Sequence, residues 1–351
     1  MYQERRHDNV VLLPEWDLQD GVMLAWPHAG TDWAYMLDQV TACYVELCRA
    51  IVEDDEQLLI VAPETDEVLQ ALPAELHNRI TVVPTVTNDT WTRDYGPLAV
   101  RCADGSVALN DFTFNGWGMK FAADCDNQVN RHLLELGVWQ LPMQCHKDLV
   151  LEGGSVESDG RGTVMTTTSC LLQANRNPWF SREQLEVELQ SRLGCSKVLW
   201  LEHGSLTGDD TDGHIDTLAR FAPGGVILYT GCDDPDDEHF TELQLMEQQL
   251  KTFTDAHGDH YHLIKLPMPS ATFDEISRLP ATYANFLVMN HQVLVPTYGD
   301  AVNDDAACRL IAQAFVGRKV VGIDCRALIC QHGSLHCATM QLPAGALKKK
   351  Q

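Results

Sequence analysis

Along the chain, apolar positions recur at helical spacing in five stretches, 32–55, 127–137, 182–194, 240–258 and 305–317, with glycines at stretch ends in the manner of C-caps. Each predicts an amphipathic helix. After each comes a short, nearly continuous apolar run: LLIVAP from Leu58, DLVLEGG from Asp148, KVLWLEHG from Lys197, HLIKLP from His262 and KVVGID from Lys319. Runs of this length read as buried strands. Further strand-like runs, GVMLAW, TVMTTT, GVILYT and FLVMNHQVLVP, fall between these units, so each repeat holds several strands and one helix. Five comparable α/β units predict either one long open sheet or a closed ring of five modules.

The polar positions arbitrate between the two. Unusual clusters follow the strands at corresponding places: NDTWTRDYGP from Asn88, EGGS from Glu152, EHGSLTGDDTDGHID from Glu202 and QHGSLHC from Gln331. A ring brings all four to one central site, and the recurrence of HGSL at His203 and His332 fits equivalent positions in such a ring. No linker rich in Pro or Ser interrupts the pattern, so residues 1–351 are expected to form a single catalytic domain, with a basic tail fraying at about 345–351.

Composition narrows the partners. The chain has 351 residues, 45% of them hydrophobic, and a formal net charge of −25. Such a charge repels phosphate backbones and anionic lipid, whereas an acidic cleft concentrates cationic ligands. Neither nucleic acid nor membrane is an expected partner. No apolar run is long enough for a signal peptide or a span of ~20 residues, and a cytoplasmic location is the expectation. The 12 cysteines are scattered through a large chain, which predicts reduced core thiols for most of them.

One cysteine stands apart. Cys337 lies in a His- and Gly-containing loop just after a strand, where a thiol is expected to be exposed near positive charge and held as thiolate; alone, it reads more readily as buried packing. His214 is flanked by Asp212 and Asp216, and the H-x-D spacing on an extended segment points His214 and Asp216 to one face. The same stretch fails as a calcium loop: with Gly213 at the invariant glycine, Gly208 and Ala219 fall where the first and last acidic ligands belong. Cys325, Cys330, His332, His336 and Cys337 crowd together, but their spacing fits no usual zinc hairpins. There is no Walker loop and no convincing dinucleotide fingerprint. Asp94 sits in a Pro-terminated turn beside Trp91 and Tyr95, where a salt bridge to Arg93 is the bland alternative. A thiol, an imidazole and several carboxylates without an arginine clamp suit a planar cation with paired N–H donors, for which guanidinium is the model. Cysteine plus histidine then make a hydrolase.

Taken in order, WTRDYGP, DFTFNGWGMKF followed by Asp126-Asn127, LEGGS, TDGHID and GSLHC resemble the agmatine deiminase and bacterial-type peptidylarginine deiminase family of the guanidine-modifying superfamily. The resemblance runs from about Trp16 to the HCATMQLP segment. It implies a five-bladed α/β propeller with pseudo-fivefold symmetry, pentein-like, and a homodimer as the assembly to expect. It implies Cys337 as nucleophile, Asp94 and Asp216 gripping the guanidinium nitrogens, His214 as general acid and base, and Glu152 supporting His214. No metal or organic cofactor is expected. For agmatine, the distal ammonium requires carboxylates or aromatic faces, for which Trp91, Trp117, Asp209 and Asp210 are the candidates. A peptidyl-arginine substrate with a free carboxylate calls instead for arginines at the mouth, and the segment from Asp111 offers only Lys120. Agmatine is therefore the expected substrate, peptidyl-arginine the alternative, free arginine a further one, and a catalytically silent binder of polyamines or guanidines the reading from another class.

Overall fold

The computed structural model describes residues 2–3, 10–275 and 277–348. Strand β1 (Gln19–Ala25) leads through a 3-10 turn at Asp32–Met36 and helix α1 (Leu37–Glu53) to β2 (Gln57–Ala62), parallel to β1, and β3 (Ile80–Pro84) adds a second parallel neighbour. The second unit is β4 (Leu98–Arg101), β5 (Val107–Thr113), α2 (Val129–Glu135) and β6 (Met143–Val150). The third is β7 (Val156–Ser158), β8 (Thr163–Thr167), α3 (Arg182–Leu193) and β9 (Lys197–Leu201). The fourth is β10 (Ala219–Ala222), β11 (Val226–Thr230), α4 (Phe240–Leu250) and β12 (His262–Leu266). The fifth is β13 (Leu287–Val288), β14 (Gln292–Thr297), α5 (Ala301–Ala314) and β15 (Lys319–Asp324).

Every unit repeats one plan: an antiparallel strand pair, then a helical crossover to a parallel strand. The first unit obtains its antiparallel member from the other end of the chain, where β16 (Met340–Pro343) pairs with β1. The strands form five separate sheets, so the long open sheet is excluded. The fold is mixed α/β.

The patterning explains these elements. In α1, Val40, Cys43, Tyr44, Leu47, Cys48 and Ile51 recur every three to four residues and are all buried. Each fully buried Leu or Ile contributes about 1.5–3 kcal/mol, so Leu47→Asp would remove the seam that seats this helix. β2 is packed on both faces, with Leu58 through Ala62 all buried, and so reads as an unbroken apolar run. In α3, Ser181 and Gln184 form a capping box and Gly194 ends the helix in left-handed conformation.

Some boundaries differ from expectation. α4 stops at Leu250, because the chain then turns into a bridge between Thr254 and His260 rather than continuing to 258. α5 begins at Ala301, earlier than the spacing indicated, because the Asp300 side chain accepts from the Asn303 N–H. The expected tail is anchored at its start: Ala346 and Leu347 are buried, and the N–H groups of Gly345 and Leu347 each donate to Asp20 at 2.9 Å. Residues 349–351 lie outside the described residues. Among the described residues no helix is long and apolar enough to cross a membrane.

Candidate active site

Five loops, each following a parallel strand of one unit, supply the site. After β3, Asp94 lies in a short helical turn, Thr92–Tyr95. The Thr92 hydroxyl lies 3.1 Å from Met23 O and 3.0 Å from Ala338 O, tying this turn to β1 and to the Cys337 loop. Arg93 does not pair with Asp94, contrary to the bland reading of the motif; its guanidinium turns away to Glu15 and Gln341. The Asp94 carboxylate instead accepts from Gly154 N at 3.0 Å and Trp117 Nε1 at 2.9 Å. Trp117 reaches it from a loop in which Trp117 and Met119, neither of them glycine, adopt φ of 55° and 68°. Strain of this kind persists only where surroundings fix it, here through Asn115, whose side chain accepts from Gly118 N at 3.0 Å.

Gly154, in the loop after β6, marks the convergence. A Cβ there would sit 2.7 Å from His214 Nδ1, 2.8 Å from Asp94 Oδ1 and 3.0 Å from Asp216 Oδ2. Only glycine fits among these groups. His214 and Asp216 come from the loop after β9; His214 is extended, but Ile215–Thr217 forms a 3-10 turn, so the expected extended H-x-D segment gives way to a turn that still brings both side chains to the same point. Cys337, in the loop after β15, places Sγ 3.7 Å from Asp216 Oδ2. Asn285, after β12, holds Nδ2 at 3.3 Å from the same sulfur and accepts at Oδ1 from His336 N at 2.9 Å.

Glu152 and Cys170 flank His214, with ligand-bearing atoms of all three within 4.8 Å of one another. Glu152 is held by Arg176, whose Nε donates at 2.9 and 3.0 Å to its two oxygens, while Arg176 also bonds Asp212 at 2.7 Å and Thr211 O at 2.9 Å. That guanidinium joins the floor of the site to the loop that carries His214.

The electrostatics separate the two carboxylates. Burial pushes Asp94 up to about 6, with His214 opposing and Asp216 assisting. Burial also acts on Asp216, but the His336 N–H, 2.7 Å from Oδ2, and nearby cations bring it below its ordinary value. Burial disfavours the His214 cation, yet Asp94, Cys170 and Glu152 outweigh it and raise the imidazole well above its usual range. Cys337 was expected exposed and near positive charge. It is buried, and burial together with Asp216 and Asp94 raises its thiol well above the ordinary value. Both His214 ring nitrogens and Asp216 Oδ1 are buried without a well-formed hydrogen bond, and Asp94 Oδ1 lies 3.5 Å from His214 Nδ1. Buried polar atoms left open in this way suit a ligand with several N–H donors.

These groups lie beside a cleft of about 680 Å³ including its mouth, walled by Asp32, Asp89, Asp210, Trp91, Trp117 and Phe121 around Cys337. Gly333 admits Trp91 to this wall, since a Cβ there would lie 2.3 Å from the indole. Asp209 does not line the cleft; its carboxylate accepts from Thr211 N and Gly213 N and shapes the loop. Lys120 is taken up by Asp210 O at 2.5 Å and Asp212 at 2.7 Å. His332 lines the cleft and meets Gly208 O at 2.8 Å, whereas His203, in the other HGSL, is half-exposed and faces Glu242 at 3.6 Å. The repeated tetrapeptide thus marks equivalent loops but not equal roles. Cys325, Cys330, His332, His336 and Cys337 supply no three convergent ligand atoms among the described residues; the convergent sets are Glu152, Cys170 and His214, and Glu15, Glu157 and His336. In the latter, Arg220 already bonds both carboxylates.

Sequence reasoning missed Asn285 and Cys170. Four of five loops carried conspicuous polar clusters, and the repeat itself indicated that the fifth, 267–286, should contribute; Asn285 stands at its end. Cys170 falls in an ordinary apolar stretch after β8 and gave no signal.

A buried thiol, an imidazole and two carboxylates meet beside an acidic and aromatic cleft, an arrangement that suits a planar cation. The family described as Porphyromonas-type peptidyl-arginine deiminase matches residues 11–343, and the chain belongs to that family. It is 32% identical over 362 residues to an agmatine deiminase of Stutzerimonas stutzeri, covering 97% of both chains. A provisionally named arginine deiminase from Porphyromonas gingivalis is similar in structure at TM-score 0.92 and 49% identity, over 97% of this chain and 100% of that one. A cysteine-to-serine variant of the agmatine deiminase of C. jejuni, with substrate bound, aligns at TM-score 0.89 and 35% identity, over 97% of each chain.

Proposed function

We propose that this protein is an agmatine deiminase, a hydrolase that converts the guanidinium of agmatine to N-carbamoylputrescine and ammonia. The observation that carries the reading is the convergence of Asp94, His214 and Asp216 on Gly154 beside Cys337, with both ring nitrogens of His214 and Oδ1 of Asp216 open, under a cleft whose walls are acidic and aromatic. Agmatine deiminase relatives at about a third identity over nearly the whole chain support it.

Each group has a role. Asp94 and Asp216 accept N–H bonds from the guanidinium and fix it in plane with its central carbon toward Cys337. The substrate's charge offsets the two carboxylates that raise the thiol, so binding itself favours the thiolate. Attack by Sγ forms a tetrahedral adduct, and protonated His214 passes its proton to the departing nitrogen, which leaves as ammonia. An S-alkylthiouronium remains on Cys337. Neutral His214 then takes a proton from water as the water adds to the same carbon; the C–S bond breaks, and thiol and ureido product are released. Glu152, held by Arg176, supports His214 from the side, and Asn285 orients the thiol. Trp91, Trp117 and Asp210 receive the distal ammonium. The five repeated units are read as blades of a five-bladed propeller with pseudo-fivefold symmetry, which accounts for five loops meeting at one centre.

Peptidyl-arginine is the second reading, favoured by the family description. Against it, Lys120 is engaged by Asp210 and Asp212, and Arg176 is buried, so neither cation is free for a substrate carboxylate. Ammonia release from agmatine, free arginine and a peptide ending in arginine decides the matter, with Cys337→Ser as control. The account expects agmatine to lead by at least about a hundredfold in kcat/KM, roughly 2.7 kcal/mol; a lead for the peptide would overturn the substrate assignment and leave the chemistry.

A further inference from the structure

Cys170 is a fully buried thiol that the hydrolytic cycle does not use, yet it stands beside the imidazole that the cycle depends on. From the close approach of Glu152, Cys170 and His214, and from the open ring nitrogens of His214, we infer that these three residues form a binding site for a thiophilic divalent cation of the zinc type.

Three observations converge. One ligand atom from each residue lies within 4.8 Å of the other two, and all three residues are at most 1% exposed. Tetrahedral zinc with bonds of about 2.0–2.3 Å sets its ligand atoms ~3.5 Å apart, so side-chain adjustments of about 1 Å close the site. Both nitrogens of His214 lack a well-formed hydrogen bond, leaving a lone pair available in its neutral form. Glu152 has its second partner in place: Arg176 Nε orients the carboxylate, as the carboxylate ligands of metal sites are commonly held from behind. Thiolate with imidazole selects zinc or cobalt over magnesium or calcium. The acidic mouth, with Asp32, Asp89 and Asp210, raises the local concentration of any cation entering.

Binding exchanges two protons for the ion: the Cys170 S–H bond and one N–H bond of the protonated His214 break, both protons leave to solvent, and an S–metal bond forms. His214 then donates its lone pair to the metal and is removed from proton transfer. Occupancy therefore blocks turnover reversibly without touching Cys337.

Cobalt(II) is the probe. Wild type and Cys337→Ser should each bind one equivalent per chain with a sulfur-to-cobalt absorption band, and Cys170→Ser and Cys170→Ala should lose it. Zinc-edge X-ray absorption of the Cys337→Ser protein, which leaves Cys170 untouched, should show one sulfur among nitrogen and oxygen donors. Loss of the band in Cys337→Ser, its survival in the Cys170 variants, or no sulfur donor in Cys337→Ser would each overturn the proposal. These spectra do not depend on the substrate assignment. In turnover, stoichiometric zinc should lower ammonia release more than about tenfold, with recovery on adding EDTA; bound zinc that leaves the rate within about twofold would refute the engagement of His214.

Discussion

Two clusters of charged and polar groups meet at Asp216 and differ in what they leave unsatisfied. Behind it, Arg220 donates to Glu15, Glu157, Ala284 O and Phe286 O, and its guanidinium stacks 4.5 Å above the Phe286 ring. His336 lies between Asp216 and Glu15, 2.7 Å from each, and Arg93 bonds Glu15 and Gln341. In front, Asp216 Oδ1 and both nitrogens of His214 are open, and Asp94 sits against another carboxylate with its acidity suppressed. Both clusters hold carboxylates and an imidazole, but the arginines stand in the rear. The rear cluster is closed on itself and holds geometry, while the front is closed only by a cation from outside. Asp216 serves both: Oδ2 meets His336 at 2.7 Å and lies 3.7 Å from Cys337 Sγ, while Oδ1 is open.

The largest effect that would break this contrast is chemical. Cys337→Ala should lower ammonia release from agmatine by at least about 10⁴-fold, because covalent catalysis is removed outright. Its melting temperature should stay close to wild type. Turnover within about tenfold of wild type would show that the front chemistry had been misassigned.

Next comes the rear. Arg220→Met leaves Glu157 buried without its cation and Glu15 with Arg93 as its remaining arginine, which costs about 3–5 kcal/mol when one partner of a buried ion network is removed. Urea unfolding should register it as a large fall in midpoint. A loss under about 1 kcal/mol would mean that the rear is no more committed to structure than the front.

Asp94→Asn should behave in the opposite sense. Asp94 is raised to about 6 from 3.8, so the folded state holds its proton more tightly than the unfolded chain does. The stability it contributes is full below about 3.8 and is lost as pH rises through about 6. At pH 8 the variant should therefore be more stable than wild type, by up to about 3 kcal/mol, with the difference vanishing near pH 4. It should also be inactive, and wild-type kcat/KM should fall as pH drops below about 6. A variant less stable than wild type at pH 8 would contradict the reading of Asp94 as a strained ligand.

The smallest effect belongs to the rim. Lys120 and Asp212 are partly exposed, at 33% and 23% of their side chains, and such pairs are worth about 0–1 kcal/mol. Lys120→Met should change KM for agmatine by less than about threefold; a larger rise would assign the lysine a direct part in holding the mouth.

Much of this architecture was legible because its signals are local. All five apolar runs overlap strands, but only Leu58–Ala62 is buried throughout as an unbroken apolar run requires, while Lys319–Asp324 buries Ile323 alone; the capping box at Ser181 sets the start of α3 to the residue. Asp94, His214, Asp216, Glu152 and Cys337 were legible as types gathered in loops at equivalent places. What the sequence concealed depends on distance across the fold. Nothing near Asn285 shows that its amide meets a sulfur 52 positions away, and the upward shift of the Cys337 thiol follows only from burial and from Asp216 and Asp94 brought near it. The position of Trp117 over Asp94 rests on a left-handed backbone that no propensity favours at tryptophan.

The central claim is that a guanidinium closes the front cluster and is attacked by Cys337. Rapid acid quenching of the enzyme during turnover of agmatine, followed by mass spectrometry of the intact chain and its peptides, tests this most directly. The account predicts a transient adduct equal to substrate minus ammonia, confined to the peptide carrying Cys337 and absent in Cys337→Ser. Turnover with no adduct at any quench time, or an adduct carried by another cysteine, would contradict it.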